Sequence, residues 1–404
     1  MKKLIALLLS AFLLTTSFVG CSEDKKERKT ASVDSTNCQE NWNRYQDGGT
    51  FAESNDSVYF IRENYMFVFD KKTRKCAPLC NKPDCEHEKT SLNKSCNAFV
   101  YNEGHSCVSV CDDALYFTST ENKTDENGND ITYFKIEKSN LDLSDRKDVF
   151  STSELLINWF KIHRGYIYMN ASTFDDDGSS GDETAAIYRM PLSGGKPKKL
   201  KIPHFGDSKY TLSDARLFGD KLYISFDHII DDENSQTVVC TYDIESGKLN
   251  EISKTLNPKP NGTITVLNKK LYYERNNKIY VADLNGEKSK EFFDCKTVTN
   301  NYSVFSLANN DGKRLSIVCK KDNWWEKENY GNCALIYLDE KGKAEFCDLP
   351  VKTELYIGGN ADFTLSFETK FGDGNDDGTR KLYYIDKKKL GSNDCASEVY
   401  TLKD

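Results

Sequence analysis

The sequence predicts an all-β fold, a β-propeller of seven blades, with six or eight blades as the alternatives. Two observations predict it. One stretch, Thr263–Phe293, has the pattern of a complete four-stranded antiparallel meander, and that pattern recurs along most of the chain. A lone sheet of this size cannot bury both of its faces, so each copy needs a neighbour on either side.

The meander is defined by runs of β-forming residues that alternate with short turns. β-Branched and aromatic residues suit a pleated surface, and Asn-Asn or Asn-Gly supplies the left-handed backbone of a two-residue hairpin. The turns are Asn276-Asn277 and Asn285-Gly286. No helical period interrupts the strands, so we expect a sheet without helices. The predicted strands are Thr263–Leu267, Lys270–Glu274, Lys278–Asp283 and Lys288–Phe293.

The second strand of this template recurs along the chain. Its copies are Val58-Tyr59-Phe60, Leu115-Tyr116-Phe117, Ile167-Tyr168-Met169, Leu222-Tyr223-Ile224, Leu271-Tyr272-Tyr273, Leu315-Ser316-Ile317 and Leu365-Ser366-Phe367. The middle residues of successive copies lie 57, 52, 55, 49, 44 and 50 positions apart. This spacing is typical of propeller blades, whereas a parallel β-solenoid has shorter and more uniform repeats.

The length and the charge limit the function classes. The chain has 404 residues, with 55 basic and 63 acidic side chains, a formal net charge of -8. Loss of Lys2 and Lys3 with a signal peptide would leave 53 against 63, or -10. Binding to phosphate backbones needs clustered Lys and Arg, so we expect no nucleic-acid partner.

The first residues predict export and a lipid anchor. Met1-Lys2-Lys3 and the apolar run Leu4–Leu14 form a signal peptide over residues 1–20. The sequence Ser17-Phe18-Val19-Gly20-Cys21 resembles a bacterial lipobox, with Phe18 where Leu is usual, and the resemblance implies diacylglyceryl attachment at Cys21. An ordinary secretory signal is the alternative. Residues 21–47 are polar and predict a flexible tether, and residues 48–404 form the propeller.

The repeated Leu-Tyr-Tyr followed by Ile-Tyr-x-x-Asp, as in Leu271-Tyr272-Tyr273 and Ile279–Asp283, resembles the propellers of TolB-like and YWTD-type proteins. It is also similar to lipoproteins of anaerobic Gram-positive bacteria. The resemblance covers the chain from about Gly48 to its end. The shared motif is structural, so it implies a fold and carries no catalytic residue.

Sequence variation is concentrated in connections that leave one face of the predicted disc. In a meander of strands A to D, the B–C loops and the D-to-A crossovers emerge on the same face, which we call the loop face. The crossover from Cys80 to His105 is the longest connection between sheets. Binding residues concentrate in variable loops on a rigid scaffold, so we expect the ligand on this face. The long B–C loops are predicted at Thr120–Asp130, Ser172–Thr184, Asp227–Gln236, Lys320–Asn332 and Thr369–Arg380.

The longest crossover contains the strongest chemical pattern. Cys80, Cys85, His87 and Cys96 supply three thiols and one imidazole within a short segment, the donor set of structural zinc. Lys82 and Lys89 are expected to favour the thiolate forms. Disulfides among these cysteines and Cys76 explain the same residues in an exported protein, so both interpretations remain open. Cys240, Cys295, Cys347 and Cys395 are expected to fill the core.

Two weaker patterns lie in other loops. Asp373, Asn375 and Asp377 precede Gly378 like the first half of a calcium loop, but the glutamate of the twelfth position is missing. A solvated turn is therefore favoured over calcium. Trp324 and Trp325 can stack on a sugar or anchor a protein contact, although one of them is expected to pack under its loop.

The sequence favours a lipid-anchored binding or scaffolding module on the extracytoplasmic face of the cell membrane. Its partner would be a protein or a carbohydrate, and its cofactors zinc and, less strongly, calcium. No Gly-x-Ser-x-Gly, His-Glu-x-x-His or phosphate-binding loop is present, and no catalytic residue is assigned. The alternative is a carbohydrate-active enzyme, a hydrolase or lyase, that uses acidic residues at the mouth of the channel.

Overall fold

The computed structural model confirms a seven-bladed β-propeller. It describes residues 51–85, 87, 93–174, 180–231, 234–308, 313–353, 358–359, 362–368 and 379–403. Within these residues the chain forms seven four-stranded antiparallel sheets. Two single-turn 3₁₀ segments are present, Cys295–Thr297 and Lys387–Lys389. A search of the described part of the chain for a helix long and apolar enough to cross a membrane found none.

Each blade consists of four strands that are consecutive in sequence. Blades 1 and 2 are β1(Ala52–Glu53), β2(Ser57–Arg62), β3(Tyr65–Asp70), β4(Lys75–Pro78), and β5(Val108–Cys111), β6(Ala114–Thr124), β7(Asp130–Asn140), β8(Lys147–Thr152). Blades 3 and 4 are β9(Leu155–His163), β10(Tyr166–Phe174), β11(Ser180–Pro191), β12(Lys198–Lys199), and β13(Tyr210–Phe218), β14(Lys221–Asp231), β15(Asn234–Asp243), β16(Leu249–Glu251). Blade 5 contains β17(Ile264–Leu267), β18(Lys270–Arg275), β19(Lys278–Asp283) and β20(Lys290–Asp294). Blade 6 contains β21(Tyr302–Ala308), β22(Arg314–Lys321), β23(Cys333–Asp339) and β24(Ala344–Asp348). Blade 7 contains β25(Gly358–Gly359), β26(Phe363–Phe367), β27(Thr379–Asp386) and β28(Ala396–Lys403).

Blade 5 shows why the repeated sequence forms this sheet. Asn276 and Asn277 both have positive φ, 53° and 63°, as a tight hairpin between right-twisted strands requires. The backbone of β18 then pairs residue by residue with β19, with Tyr272 opposite Val281. The repeated Tyr of strand B is buried in five blades, at Tyr59, Tyr116, Tyr168, Tyr223 and Tyr272. Alternating side chains of each sheet therefore fill the spaces between neighbouring blades.

Among the described residues, the ring closes without exchange of a strand between its ends. Because β1–β4 come first in the sequence and β25–β28 last, blades 7 and 1 meet through side chains. We call their contact the closing seam. The rings of Phe60 and Phe367 meet edge to face at 5.5 Å, and Phe69 lies 5.9 Å from Tyr384. The seam is rich in buried aromatic residues, namely Phe51, Phe60, Tyr65, Phe67, Phe69, Phe99, Phe363, Phe367 and Tyr384.

Three of the predicted B–C loops are largely strand. In blade 2 the strands run to Thr124 and resume at Asp130, and in blade 4 they run to Asp231 and resume at Asn234. In blade 3, β10 ends at Phe174 and β11 begins at Ser180. These polar segments pair with each other beyond the buried part of the sheet, so their composition resembled that of a loop. Blade 6 does have a long loop between Lys321 and Cys333.

The core cysteines are placed as expected, since Cys240, Cys295, Cys347 and Cys395 are all buried. Cys319 and Cys333, which flank the B–C loop of blade 6, are buried too. Cys319 pairs with Ala334, and the two thiols face opposite sides of blade 6. Adjacent residues of a strand alternate between faces, so a register offset of one residue separates the thiols.

Deletion of the last blade tests whether the ring is one folding unit. Removal of residues from Ala361 onward should abolish cooperative unfolding, because it exposes one face of blade 6 and the aromatic face of blade 1. Circular dichroism during heating measures this. Removal of Lys403 and Asp404 alone should leave the melting temperature within about 2 °C of the full chain. A soluble truncated protein with the native melting temperature would show that the blades fold independently.

Candidate metal centre and loop face

The connection from β4 to β5 is held against blade 1 by backbone hydrogen bonds. The Leu79 N–H donates to the Met66 carbonyl at 2.8 Å, and the Met66 N–H donates to the Ala98 carbonyl at 2.8 Å. The Val100 N–H donates to the Asn64 carbonyl at 2.7 Å. This connection, which we call the crossover, therefore leaves blade 1 after β4 and then returns to pair with the start of β3. This path brings its two ends together.

The crossover brings together the four side chains that the sequence predicts as metal ligands. One ligand atom from each of Cys80, Cys85, His87 and Cys96 lies within 4.8 Å of all the others. Cys96 is buried and the other three are half-buried. None of these thiols forms a disulfide in the structure, and neither does Cys76, which lies outside the group. This Cys3His arrangement can hold a metal ion, and its donors match a tetrahedral site.

Amide groups surround the sulfur atoms. The backbone N–H groups of Lys82 and Asn97 donate to the Cys80 sulfur, and that of Ala98 donates to the Cys96 sulfur. The Asn93 side-chain amide donates to the Cys85 sulfur at 3.5 Å. Such donors stabilise negative charge on sulfur and orient thiolates toward a metal. All three sulfurs thus have donors that suit a thiolate.

His87 has a ring nitrogen available for a metal. Its Nε2 atom is buried and has no hydrogen-bond partner within the described residues. A buried polar atom without a partner carries a free-energy cost, and coordination of a metal removes that cost. The imidazole is positioned by the ring of Tyr65, which lies edge-on at 5.7 Å. The group therefore fits a metal in three ways. It has three sulfur donors and one nitrogen donor, its ligand atoms lie close together, and the His87 Nε2 atom has no other partner among the described residues.

The thiol pKa values differ within the group. Burial raises the pKa of Cys80, but hydrogen bonds from Lys82, His87, Cys96 and Asn97 outweigh burial and lower it to about 6. Burial and hydrogen bonds to Cys85 and Cys80 raise the pKa of Cys96 to about 12. Without metal, the Cys80 thiol is therefore the first to ionise.

Lys82 acts in the crossover through both its side chain and its backbone. Its ammonium group donates to the Ser95 carbonyl, so it ties the two arms of the crossover together. Its backbone N–H, instead, contacts the Cys80 sulfur. Lys89 lies outside the described residues.

A cleft of about 550 Å³ lies beside the metal group, between the crossover and blade 2. Its base is an ion pair in which Arg146 donates to both carboxylate oxygens of Glu137 at 2.9 Å. Arg146 also donates to the Phe99 carbonyl of the crossover at 2.7 Å. Burial raises the pKa of Glu137, but Arg146 and Ser119 hold it below its usual value. The arginine thus fixes the crossover to blade 2.

The large exposed apolar side chains share one location. Within the described residues these are Phe174, Ile229, Ile230, Trp324 and Trp325. Each lies at the end of a strand B or in the B–C loop that follows it, so all belong to the loop face.

Both tryptophans of blade 6 are exposed, Trp324 to 41% and Trp325 to 63%. The expectation that one of them packs under the loop is therefore wrong. The Lys320 ammonium lies 3.6 Å from the centre of the Trp324 ring and 3.7 Å from the centre of the Phe305 ring. This cation–π contact with Lys320 holds Trp324 at the surface.

Several predicted sites lie outside the described residues. These are the lipidation site Cys21 and the weak calcium ligands Asp373, Asn375 and Asp377.

The buried carboxylates belong to different blades, and each has its own partner. Glu137 of blade 2 binds Arg146, and Asp214 of blade 4 binds Arg216 at 2.5 Å. Burial raises the pKa of Glu274 in blade 5, which accepts the Asn277 N–H at 2.7 Å. These bonds hold the three carboxylates in structural contacts.

The sequence did not predict a stack of three rings in blade 4. Tyr210 lies between His204 and His228, with ring centres 4.4 Å apart on each side. Burial lowers the pKa of His204, whose Nε2 lies 3.5 Å from the Cys240 sulfur. The stack depends on the register that sets Tyr210 opposite His228. No sequence motif encodes that register.

Comparison with known proteins identifies the fold. No protein-family model matches the chain, and no curated protein matches its sequence. A structure of puromycin hydrolase is 11% identical with a TM-score of 0.51, over 91% of this chain and 54% of that one. A structure of a puromycin hydrolase mutant is 10% identical with a TM-score of 0.52, over 89% of this chain and 54% of that one. The β-propeller domain of the Trilobed protease from Pyrococcus furiosus is 10% identical with a TM-score of 0.47, over 88% of this chain and 97% of that one. At these identities the likeness is one of fold, and the chain is a seven-bladed β-propeller.

Proposed function

We propose that this chain is a lipid-anchored, extracytoplasmic binding or scaffolding module that holds a protein partner on its loop face. The observation that carries the proposal is the location of the exposed apolar side chains. Every large one within the described residues lies on a B–C hairpin, in blades 3, 4 and 6. Exposed apolar side chains gathered on one surface mark interaction sites.

The contrast between the two faces of the disc supports this assignment. The opposite face carries the A–B and C–D turns, such as Asn268-Lys269 in blade 5 and Lys341-Gly342 in blade 6, and no large exposed apolar side chain of the described residues lies on these turns. Aromatic anchors such as Trp325 contribute much of the binding energy in protein interfaces. A partner that binds the loop face would therefore gain contacts that the other face does not offer.

Two of the three buried carboxylates described above are unsuited to the hydrolase or lyase alternative. Glycoside hydrolysis needs two carboxyl groups that flank one bond, one of them free to give a proton. Glu137 and Asp214 are instead paired with arginines. Such pairs stabilise the ionised form, which cannot act as a proton donor.

We infer that the metal of the Cys3His group is zinc and that its role is structural. Three thiolates and one imidazole complete a tetrahedron, so no position remains for water. The ion would join the two arms of the crossover, next to the cleft of blade 2. Zinc also fits the disposition of amide donors around each sulfur.

The purified protein should contain about one equivalent of zinc, measured by elemental analysis. Cys85→Ser should lose the metal, whereas Cys76→Ser should keep it, because Cys76 is a nearby free thiol outside the group. A chelator should expose crossover amides to hydrogen exchange while the sheets stay protected. If no metal is present and Cys80, Cys85 and Cys96 resist alkylation until reduced, disulfides hold the crossover and the zinc proposal is wrong.

Cys21→Ser should release the protein from the membrane fraction, because the residues that follow Cys21 are too polar to bind lipid alone. Fractionation of cells after a salt wash measures the release. Cys38→Ser should leave the protein in the membrane fraction. Persistence of Cys21→Ser in washed membranes would contradict the lipid anchor.

The loop-face proposal can be tested by photo-crosslinking in intact cells. A benzophenone amino acid at Trp325 should give a discrete adduct with a protein that mass spectrometry identifies. The same probe at Lys341, an exposed residue at the other end of blade 6, should give none. Trp324→Ser together with Ile229→Ser should weaken the Trp325 adduct several-fold. Equal adducts from both positions, or none from Trp325, would refute the assignment of the partner to this face.

A further inference from the structure

Two buried thiols from neighbouring blades lie in contact. The sulfur atoms of Cys347 and Cys395 are 3.7 Å apart, and each residue is 1% exposed. Cys347 belongs to β24, the last strand of blade 6, and Cys395 directly precedes β28, the last strand of blade 7. The two residues are 48 positions apart. Cys347 therefore lies near the end of strand D of blade 6, and Cys395 lies just before the start of strand D of blade 7.

The surroundings of the two sulfurs are apolar. Both lie in a cluster of side chains between blades 6 and 7 that includes Leu335, Leu349 and Ile385. The only other hydrogen bond described for the Cys347 thiol is to the Asp348 carbonyl at 3.6 Å. Neither sulfur belongs to the Cys3His group. The structural role of this pair is therefore separate from the metal centre.

We propose that Cys347 and Cys395 form a disulfide that joins blades 6 and 7. This inference rests on the proposed export, since disulfides persist in oxidising compartments. For the bond to form, side-chain rotation must bring the sulfurs from 3.7 Å to about 2 Å. The bond forms by exchange with a protein disulfide oxidant: the two thiols lose two protons and two electrons, and the oxidant's disulfide becomes a dithiol.

The geometry also indicates when the bond forms. Each residue is 1% exposed, so a protein oxidant cannot reach either sulfur in the folded ring, and burial also raises the pKa of Cys395 to about 12. Exchange must therefore occur while the last blade is still open to the oxidant. Once formed, the bond is shielded by the apolar cluster.

A cross-link at this place has a clear structural purpose. The first strand of blade 7, β25, is two residues long, and no strand of the described part of the chain is exchanged between the ends of the ring. Blade 7 is thus held by its packing on blades 6 and 1. A disulfide that closes a long loop reduces the freedom of the unfolded chain, which favours the closed ring.

Peptide mapping of the membrane-bound protein tests the proposal. Free thiols are alkylated at acid quench, and the protein is digested without reduction. We expect a peptide pair joined through Cys347 and Cys395 and lighter by two hydrogens than the separate peptides. Cys319 and Cys333 should be alkylated, because these buried thiols face opposite sides of their sheet. Alkylation of both Cys347 and Cys395 would overturn the proposal, even if Cys21 anchors the protein.

Refolding separates the cross-link from the question of export. The chain from residue 22 onward, refolded in a glutathione redox buffer, should acquire the same cross-link, because the buffer supplies the oxidant. Failure to form it under these conditions would overturn the proposal independently of where the protein resides in the cell.

A stability measurement gives a second readout. A reductant that cannot chelate zinc should lower the melting temperature of the cross-linked protein by several degrees. The reductant should have a smaller effect on Cys395→Ala, in which this bond is absent while Cys111 keeps its own disulfide. Equal shifts in both proteins would show that the pair contributes no cross-link.

Discussion

The closing seam between blades 7 and 1 is the contact on which the rest of the molecule depends. In a ring of separate sheets, each face is buried only if the last sheet meets the first. Here that meeting rests on aromatic side chains such as Phe60, Phe67 and Phe367, without an exchanged strand. Edge-to-face and stacked rings add directional contacts to the area that they bury. A loss at this seam would therefore expose blades on both sides at once.

The crossover is coupled to this seam through one residue. Tyr65, the first residue of β3, packs in the seam, lies 5.7 Å from the ring of Phe99, and contacts the His87 imidazole. Cys96 belongs to the same buried cluster. A metal at the Cys3His group would thus restrain the outer edge of the seam. This gives the longest connection of the chain a structural role in addition to its place on the loop face.

The sequence was sufficient for the fold because its information is local. Short turns such as Asn276-Asn277 and the apolar pattern of strand B, with its buried Tyr in five of the blades, recur along the chain and predict the seven sheets. It was also sufficient for the four metal ligands, which lie close together in the chain. Contacts that depend on register or on packing between blades were not predictable. The Glu137–Arg146 pair, the stack around Tyr210 and the approach of Cys347 to Cys395 are of this kind.

The separation of stability from recognition follows from the same geometry. In each meander the backbone carries strand B outward to the loop face and strand C back, so additions to this hairpin leave the buried sheet unchanged. Apolar residues such as Ile230 and Trp325 can be exposed there without disturbing the core. The two proposed cross-links, a metal between the arms of the crossover and a disulfide between blades 6 and 7, would lie in the scaffold itself. Because the hairpins of the loop face add little to the buried sheets, the stability of the ring must come from the scaffold. Cross-links through its cysteines are one way in which this chain can supply that stability.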